Sequence, residues 1–565
     1  MKLLLIRASN TLFRYSNTSY GLGLVGTLAK EFAEVRILDN NSAHKLYSVK
    51  EILNKITDYE PDIIGFNVNT FNIFETSKLV CSVVQHFPKV PLIAGGLHTY
   101  SKPKEVADLG VHIVVKGDAE TTISPLLEIL QNHIGHTGKF TINKSLFSEL
   151  FTIQGLLFKD NENNTWMDTG YPELCKDLDN LPFVDYDLFN LQDFLKGPNA
   201  ENFVTNQIVT QRGCPYECPF CQGNSEAGMN KFRENSAQYK FEYVKYLYEK
   251  YKIKNIMFHD NNFTLRRENT IEFCNKLIDS GLNKRLTFNC QTNVVIPLDD
   301  ILLQTMKKAG CSEVCLGVER LSQNALRLIK KNKNYDAIVH NIRVFKKHEM
   351  SVMVNCLVGL PFDTAEGVYE EMRLFNEVID DINTFAVNTL LPIPGTETYK
   401  ESMYKNWYLD KNIMSWKPSF YHMIYNYYNP AWDVNFFNLD KQTLNAIRQI
   451  KENFYDHTIK KANSRIINLL HAIEKLLGRV SLRLFRISPK AEDIIFAIPK
   501  LVRLRLWSYF VNKYHRKQGL VSATDDFKDI TSQAENHETS TFTSNMSNKS
   551  KGEHHVGELV TVDSD

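Results

Sequence analysis

Gln211-Arg212-Gly213-Cys214-Pro215-Tyr216-Glu217-Cys218-Pro219-Phe220-Cys221-Gln222-Gly223 is the one stretch of this chain with regular cysteine spacing, C-x3-C-x2-C. An apolar run, 207–210, leads into it, and Gly and Pro surround it, so the thiols share one loop behind a strand. Three thiolates on one short loop can bind three irons of a cubane [4Fe–4S] cluster. The fourth iron then has no protein ligand and is open to a small chelating molecule. Zinc is a rival occupant, but it wants a fourth Cys or His at tetrahedral reach, and the loop holds no His. Three unrelated buried thiols are a further reading.

Working outward, short apolar runs recur at 254–259, 286–290, 313–318, 351–358 and 384–391. Helical patterns lie between them, as at 267–280, 299–309 and 336–348. Repeated βα units predict a partial (β/α) barrel over residues 199–400, with reacting groups at the C-terminal ends of the strands. A second alternating series precedes it. Runs at 3–6, 35–38, 62–68, 90–94 and 111–115 alternate with helical patterns such as 49–56 and 75–84. Continuous apolar strands separated by helices predict a doubly wound, flavodoxin-like α/β domain over residues 1–140. Residues 141–198 read as a connector rich in turn residues. Residues 401–518 read as a mainly helical region, first aromatic and then basic, and 519–565 as a disordered tail.

The 565 residues are too many for one core, and about three or four folded units are expected. Apolar residues at 43% and charged residues at 23% suit an ordinary globular chain. Lys plus Arg is 66 against 65 for Asp plus Glu, which argues against a general nucleic-acid binder. Ten Cys in such a length are too sparse for a disulfide scaffold and indicate reduced thiols, hence a cytoplasmic protein. The run Leu3 to Ile6 is too short for a signal peptide, and no stretch is long and apolar enough to span a membrane.

The cysteine loop, with Phe220 just before the last Cys, resembles the radical S-adenosylmethionine (SAM) superfamily. The likeness continues through His259-Asp260-Asn261-Asn262, Leu316-Gly317-Val318-Glu319-Arg320 (Arg standing where the family has Ser), Gly359-Leu360-Pro361 and Pro392-Ile393-Pro394-Gly395-Thr396. It implies that Cys214, Cys218 and Cys221 hold the cluster and that Asp260, Glu319 and Arg320 touch SAM. It also implies cleavage of SAM to a 5′-deoxyadenosyl radical that takes hydrogen from a substrate. Cys311 and Cys315, with Cys290 and Cys356, could form an auxiliary cluster, but free Cys inside buried strands behaves as a small hydrophobe.

The amino-terminal series resembles the cobalamin-binding domains joined to such enzymes. The matching residues are Asn67 and Thr70 after the third strand, Gly95, Gly96 and His98 after the fourth, and Gly117 after the fifth. The usual Asp-x-His-x-x-Gly is replaced by Arg7-Ala8-Ser9-Asn10-Thr11-Leu12. Cobalt therefore lacks that His, or cobalamin is not bound and the domain serves a substrate or partner. His98 is a candidate cobalt ligand; its plainer role is a hydrogen bond in the Gly-Gly turn.

The resemblance implies a cobalamin-dependent radical SAM methyltransferase acting on an unactivated carbon of a small molecule, lipid or natural product. Cyclisation or rearrangement is the alternative chemistry, and a non-catalytic zinc protein the alternative class. A reducing partner such as flavodoxin or ferredoxin is implied. The basic stretch near Arg479 to Lys517, with Trp507, reads either as a docked helical layer or as peripheral membrane contact.

Overall fold

Four apolar residues in a row cover both faces of β1 (Lys2–Arg7), and that burial puts the strand in the middle of a sheet. The computed structural model describes residues 1–9, 18–41, 45–134, 140–160, 164–194, 208–224, 231–295, 298–331, 334–390, 393–399 and 439–461. The segment 10–12, the aromatic stretch 421–428, the basic stretch and the tail fall outside them.

β1 lies between β2 (Glu34–Asp39) and β3 (Ile63–Asn67), both parallel to it. β4 (Leu92–Gly95) and β5 (Ile113–Val115) continue the sheet in parallel. The order β2-β1-β3-β4-β5 is the doubly wound one the sequence predicts. The direction in which strands are added to the sheet reverses between β1 and β3, and such a switch point opens a crevice at the C-terminal ends of the strands. Arg7 and Asp39 form a buried ion pair of 2.7 Å there.

The connector is a correction. Residues 156–168 form β6 (Leu156–Asp160) and β7 (Thr165–Asp168), which extend the same sheet antiparallel beyond β5. The first sheet therefore runs past residue 140 to Asp168. Only three buried apolar residues mark β6, and β7 is a largely polar edge, so neither carries a strong pattern.

The second sheet has five parallel strands in chain order: β10 (Asn255–Met257), β11 (Thr287–Asn293), β12 (Cys311–Glu319), β13 (Ser351–Val358) and β14 (Thr384–Thr389). Ile208 bridges to Phe258 and supplies the lead-in strand on the β10 side. A short ribbon of β8 (Gln211–Arg212) and β9 (Arg233–Glu234) brackets the cysteine loop. The helices begin where side-chain oxygens cap them: Ser236, Asp299, Asn334 and Thr364 each accept a first-turn N–H. The helix Lys441–Lys461 packs Phe454 against Phe385 of β14, ring centroids 4.4 Å apart. The result is the open half-barrel predicted from the βα series.

Candidate functional site

The loop is anchored from below. Asp260, at the end of the β10 segment, is fully buried. Its oxygens accept from the backbone N–H of Thr210 (2.6 Å), the Thr210 hydroxyl and the Gln211 N–H (2.9 Å). Burial raises its carboxyl pKa, while Lys240 and the hydrogen bonds with Thr210 oppose the rise. Every acceptor is thus engaged in holding the strand that delivers the loop. Asp260, expected at SAM, braces that strand through its carboxylate.

Beyond Arg212 the chain turns at Gly213, whose φ of 75° suits glycine. A turn follows from the Cys221 N–H to the Cys218 carbonyl at 3.0 Å. The three thiols sit together. A Cβ on Gly223 would lie 3.5 Å from Cys221 Sγ and 3.7 Å from the Cβ of Cys214. Burial pushes the Cys218 thiol up to about 11 and raises Cys221, and the neighbouring thiolates add to both. Such a trio needs positive charge between its members, which the irons of a cluster provide. Among the described residues no three His, Cys, Asp or Glu side chains close around one ion. A cubane instead takes one thiolate per iron, so the donor set fits the cluster better than zinc.

Above the loop, β12 ends in a bulge. Its register with β13 shifts between Gly317 and Glu319, and Glu319 has a φ of 65°. The half-buried carboxyl has its pKa raised by burial, with Lys331 pulling the other way. Lys331 is itself buried and donates to the Gly317 carbonyl. Lys331 and Glu319 both act electrostatically on Cys218 and Cys221. Arg320 points elsewhere. It is 1% exposed and donates to both oxygens of Asp363 at 2.7 Å. Asp363 also accepts from Gly359 N–H at 2.8 Å, so Arg320 locks the Gly-Leu-Pro turn. Arg320, expected at SAM, thus holds its guanidinium on Asp363.

Sequence reasoning missed Lys331 and did not single out Asn262. Lys331 follows a short helix, Gln323–Leu328, and no periodicity marks it. Cys290, Cys311, Cys315 and Cys356 are all buried in the second sheet. Burial raises the thiol pKa of Cys290, Cys315 and Cys356, the behaviour of core thiols.

At the edge of the first sheet, Gly96 has a φ of 118°, and a Cβ there would meet the Val68 carbonyl at 2.5 Å. Only glycine fits between Asn67 and Val68. Gly95 has no such requirement, and Gly117 packs on Pro172 rather than leaving a cradle. His98 is fully buried, and its Nδ1 lies 3.1 Å from the Thr70 hydroxyl. It ties the two loops together, the plainer role read for it in the sequence. Leu97, in contrast, is 51% exposed at the mouth. An uncovered apolar side chain at the C-terminal edge of the sheet suits a broad ring face such as corrin, and the imidazole of His98 is turned to Thr70.

The two edges are joined. Gln222, next to Cys221, donates to the Leu97 carbonyl at 3.3 Å. Arg212 pairs with Glu120 at 3.4 Å and Arg233 with Asp118 at 2.9 Å. The cysteine loop is therefore fastened by its own ribbon to the C-terminal edge of the first sheet.

A family model described as the radical SAM superfamily matches residues 208–375, and one described as a B12 binding domain matches 13–127. An uncharacterised methyltransferase of Pyrococcus horikoshii is 25% identical over 397 residues, 69% of this chain and 80% of that protein. An anaerobic magnesium-protoporphyrin IX monomethyl ester cyclase of Rubrivivax gelatinosus is 22% identical over 63% of this chain and 60% of its own length. Among solved structures, the radical SAM methyltransferase TsrM of Kitasatospora setae, with tryptophan substrate and a SAM analogue bound, has a TM-score of 0.59. It is 16% identical over 72% of this chain and 77% of that one, a likeness of fold.

Proposed function

This chain belongs to the radical SAM superfamily and carries a B12-binding domain ahead of its half-barrel, and from that premise we propose that it transfers a methyl group to an unactivated carbon of a small-molecule substrate. The observation that carries the reading is the bond from Gln222 to Leu97, which sets the cysteine loop against the crevice of the first sheet. When bound, the cluster supplies the electron that cleaves SAM, and the corrin carries the methyl group.

The chain's own residues do the placing. Cys214, Cys218 and Cys221 would hold the cluster, one thiolate to each of three irons. Glu319 offers a carboxylate to the ammonium of SAM, and Lys331 offers an ammonium to its carboxylate. Asn67, Thr70 and Gly96 shape the edge that would receive the corrin, and Leu97 gives it an apolar face. A one-electron donor such as flavodoxin or ferredoxin completes the system. Lipids and natural products are the substrate classes in which an unactivated carbon needs this chemistry. Peripheral membrane contact stays a proposal on the basic stretch; among the described residues no helix is long and apolar enough to cross a membrane.

Anaerobic reconstitution with iron, sulfide and hydroxocobalamin tests this. The full chain should retain corrin absorbance and form 5′-deoxyadenosine from SAM, and Cys218→Ala should form none. Persistent 5′-deoxyadenosine in that variant would reject the cluster assignment. The relation to a cyclase favours ring closure as a second reading. SAM labelled in its methyl group separates the two, because ring closure leaves the product unlabelled.

A further inference from the structure

Beside the loop, one amide faces a thiol. Asn262 is buried, and its Nδ2 lies 3.1 Å from Cys214 Sγ. Its orientation is fixed by its surroundings. The Oδ1 accepts from the Asn293 N–H at 3.0 Å; turned over, the amide would set donor against donor. The backbone of Asn262 is held as well. Its N–H donates to the Gln211 side-chain oxygen at 3.3 Å, and its carbonyl accepts from the Gln211 amide at 3.0 Å. The NH2 group is therefore aimed at the sulfur by three neighbouring contacts. A second donor, the Gly223 N–H, reaches Cys221 Sγ at 3.4 Å, but that one belongs to the backbone.

We infer that Asn262 is a positioning residue that sets the reduction potential of the cluster through its hydrogen bond to Cys214. The inference rests on the cluster assignment proposed above. Reduction adds one electron to the cluster, and part of that charge reaches the thiolate sulfurs. An N–H donated to sulfur stabilises the more negative, reduced form more than the oxidised form. The potential is thereby raised, and the cluster comes within reach of a biological one-electron donor. In Asn262→Leu the side chain keeps its bulk and loses the donor. In Asn262→Asp an acceptor faces the thiolate, which penalises the reduced form further.

The test is a reductive titration of the reconstituted full chain, followed by electron paramagnetic resonance of the reduced cluster. In Asn262→Leu the reduced-to-oxidised ratio at a fixed ambient potential should fall about tenfold, about 59 mV for one electron. Asn262→Asp should lie lower again. An unchanged midpoint in a Leu variant with full iron content overturns the inference. Should that variant lose its cluster, wild-type protein made with isotopically labelled asparagine nitrogen decides the matter. A hyperfine coupling from that nitrogen to the reduced cluster supports the bond, and its absence overturns it. A wild-type protein with no iron–sulfur signal would defeat the cluster assignment itself, and this inference with it.

Discussion

Replacing Asp260 with Ala removes one carboxylate and leaves two backbone N–H groups, those of Thr210 and Gln211, with nothing to donate to. Each buried donor left unpaired costs about 1–3 kcal/mol, so a loss of roughly 2–6 kcal/mol is expected in denaturant unfolding. Iron content after reconstitution should fall too, because the strand entering the loop loses its anchor. A variant with wild-type stability and weakened SAM binding would instead restore Asp260 as a cofactor contact. Asp260, Glu319 and Arg320 were legible in the sequence as polar residues at strand ends. The direction each side chain turns was not. Asp260 turns onto Thr210 and Gln211 of the neighbouring segment that enters the loop, and Arg320 turns back onto Asp363. Lys331 reaches the loop from a segment with no local signature, and Asn262 stands in a segment the sequence marks without saying which of its side chains meets the loop, so tertiary placement is what reveals both.

At the scale of the element, β12 deserves a substitution pair. Glu319 occupies the left-handed region, with a φ of 65° at the bulge. A non-glycine residue held there stores backbone strain, and such outliers gather at functional sites. Glu319→Ala and Glu319→Gly both delete the carboxylate, but only Gly relieves the φ. The Gly variant should be more stable than the Ala variant by about 1 kcal/mol, the usual left-handed penalty, read from thermal or denaturant unfolding. Both should bind SAM less tightly, and to the same extent, in equilibrium dialysis. Equal stability of the pair would show that the bulge carries no strain. The strands of the first sheet were readable because β1, β3, β4 and β5 are continuous apolar runs, while those of the second sheet, such as β11 and β13, carry alternating burial between helical patterns. The helix starts were readable from caps such as Asp299 and Thr364. β6 and β7 escaped because an antiparallel edge is half polar, and its residues look like those of a connector.

At the scale of the whole molecule, an apolar seam and a polar seam among the described residues join the sheets, and they should fail differently. One is apolar: Tyr186 is fully buried, stacks on Phe189 at 5.9 Å and meets Tyr251 edge-on at 5.7 Å. Nearby, Phe183 stacks on Tyr243 at 4.8 Å. The other is polar and lies at the site: Arg212 with Glu120 and Arg233 with Asp118. Truncating a buried ring leaves a cavity, so Tyr186→Ala should cost about 3–5 kcal/mol of global stability. Arg233→Gln should cost less, about 1.5–3 kcal/mol for a hydrogen bond to a charged group. Its effect should also be local, because Arg233 sits in the ribbon that brackets the cysteine loop. Hydrogen exchange should accelerate in β8, β9 and residues 95–98 while the core of both sheets keeps its protection. Corrin and iron should both still bind, since no thiol and no residue of the crevice has changed. Uniform acceleration across both sheets would mean that Arg233 carries general stability and does not hold the loop to the crevice. The distinction bears on function, because a methyl donor on one sheet and a radical source on the other are useful only at a fixed separation. An apolar seam alone permits sliding; an ion pair at the mouth, with defined donors and acceptors, sets the register between the two edges.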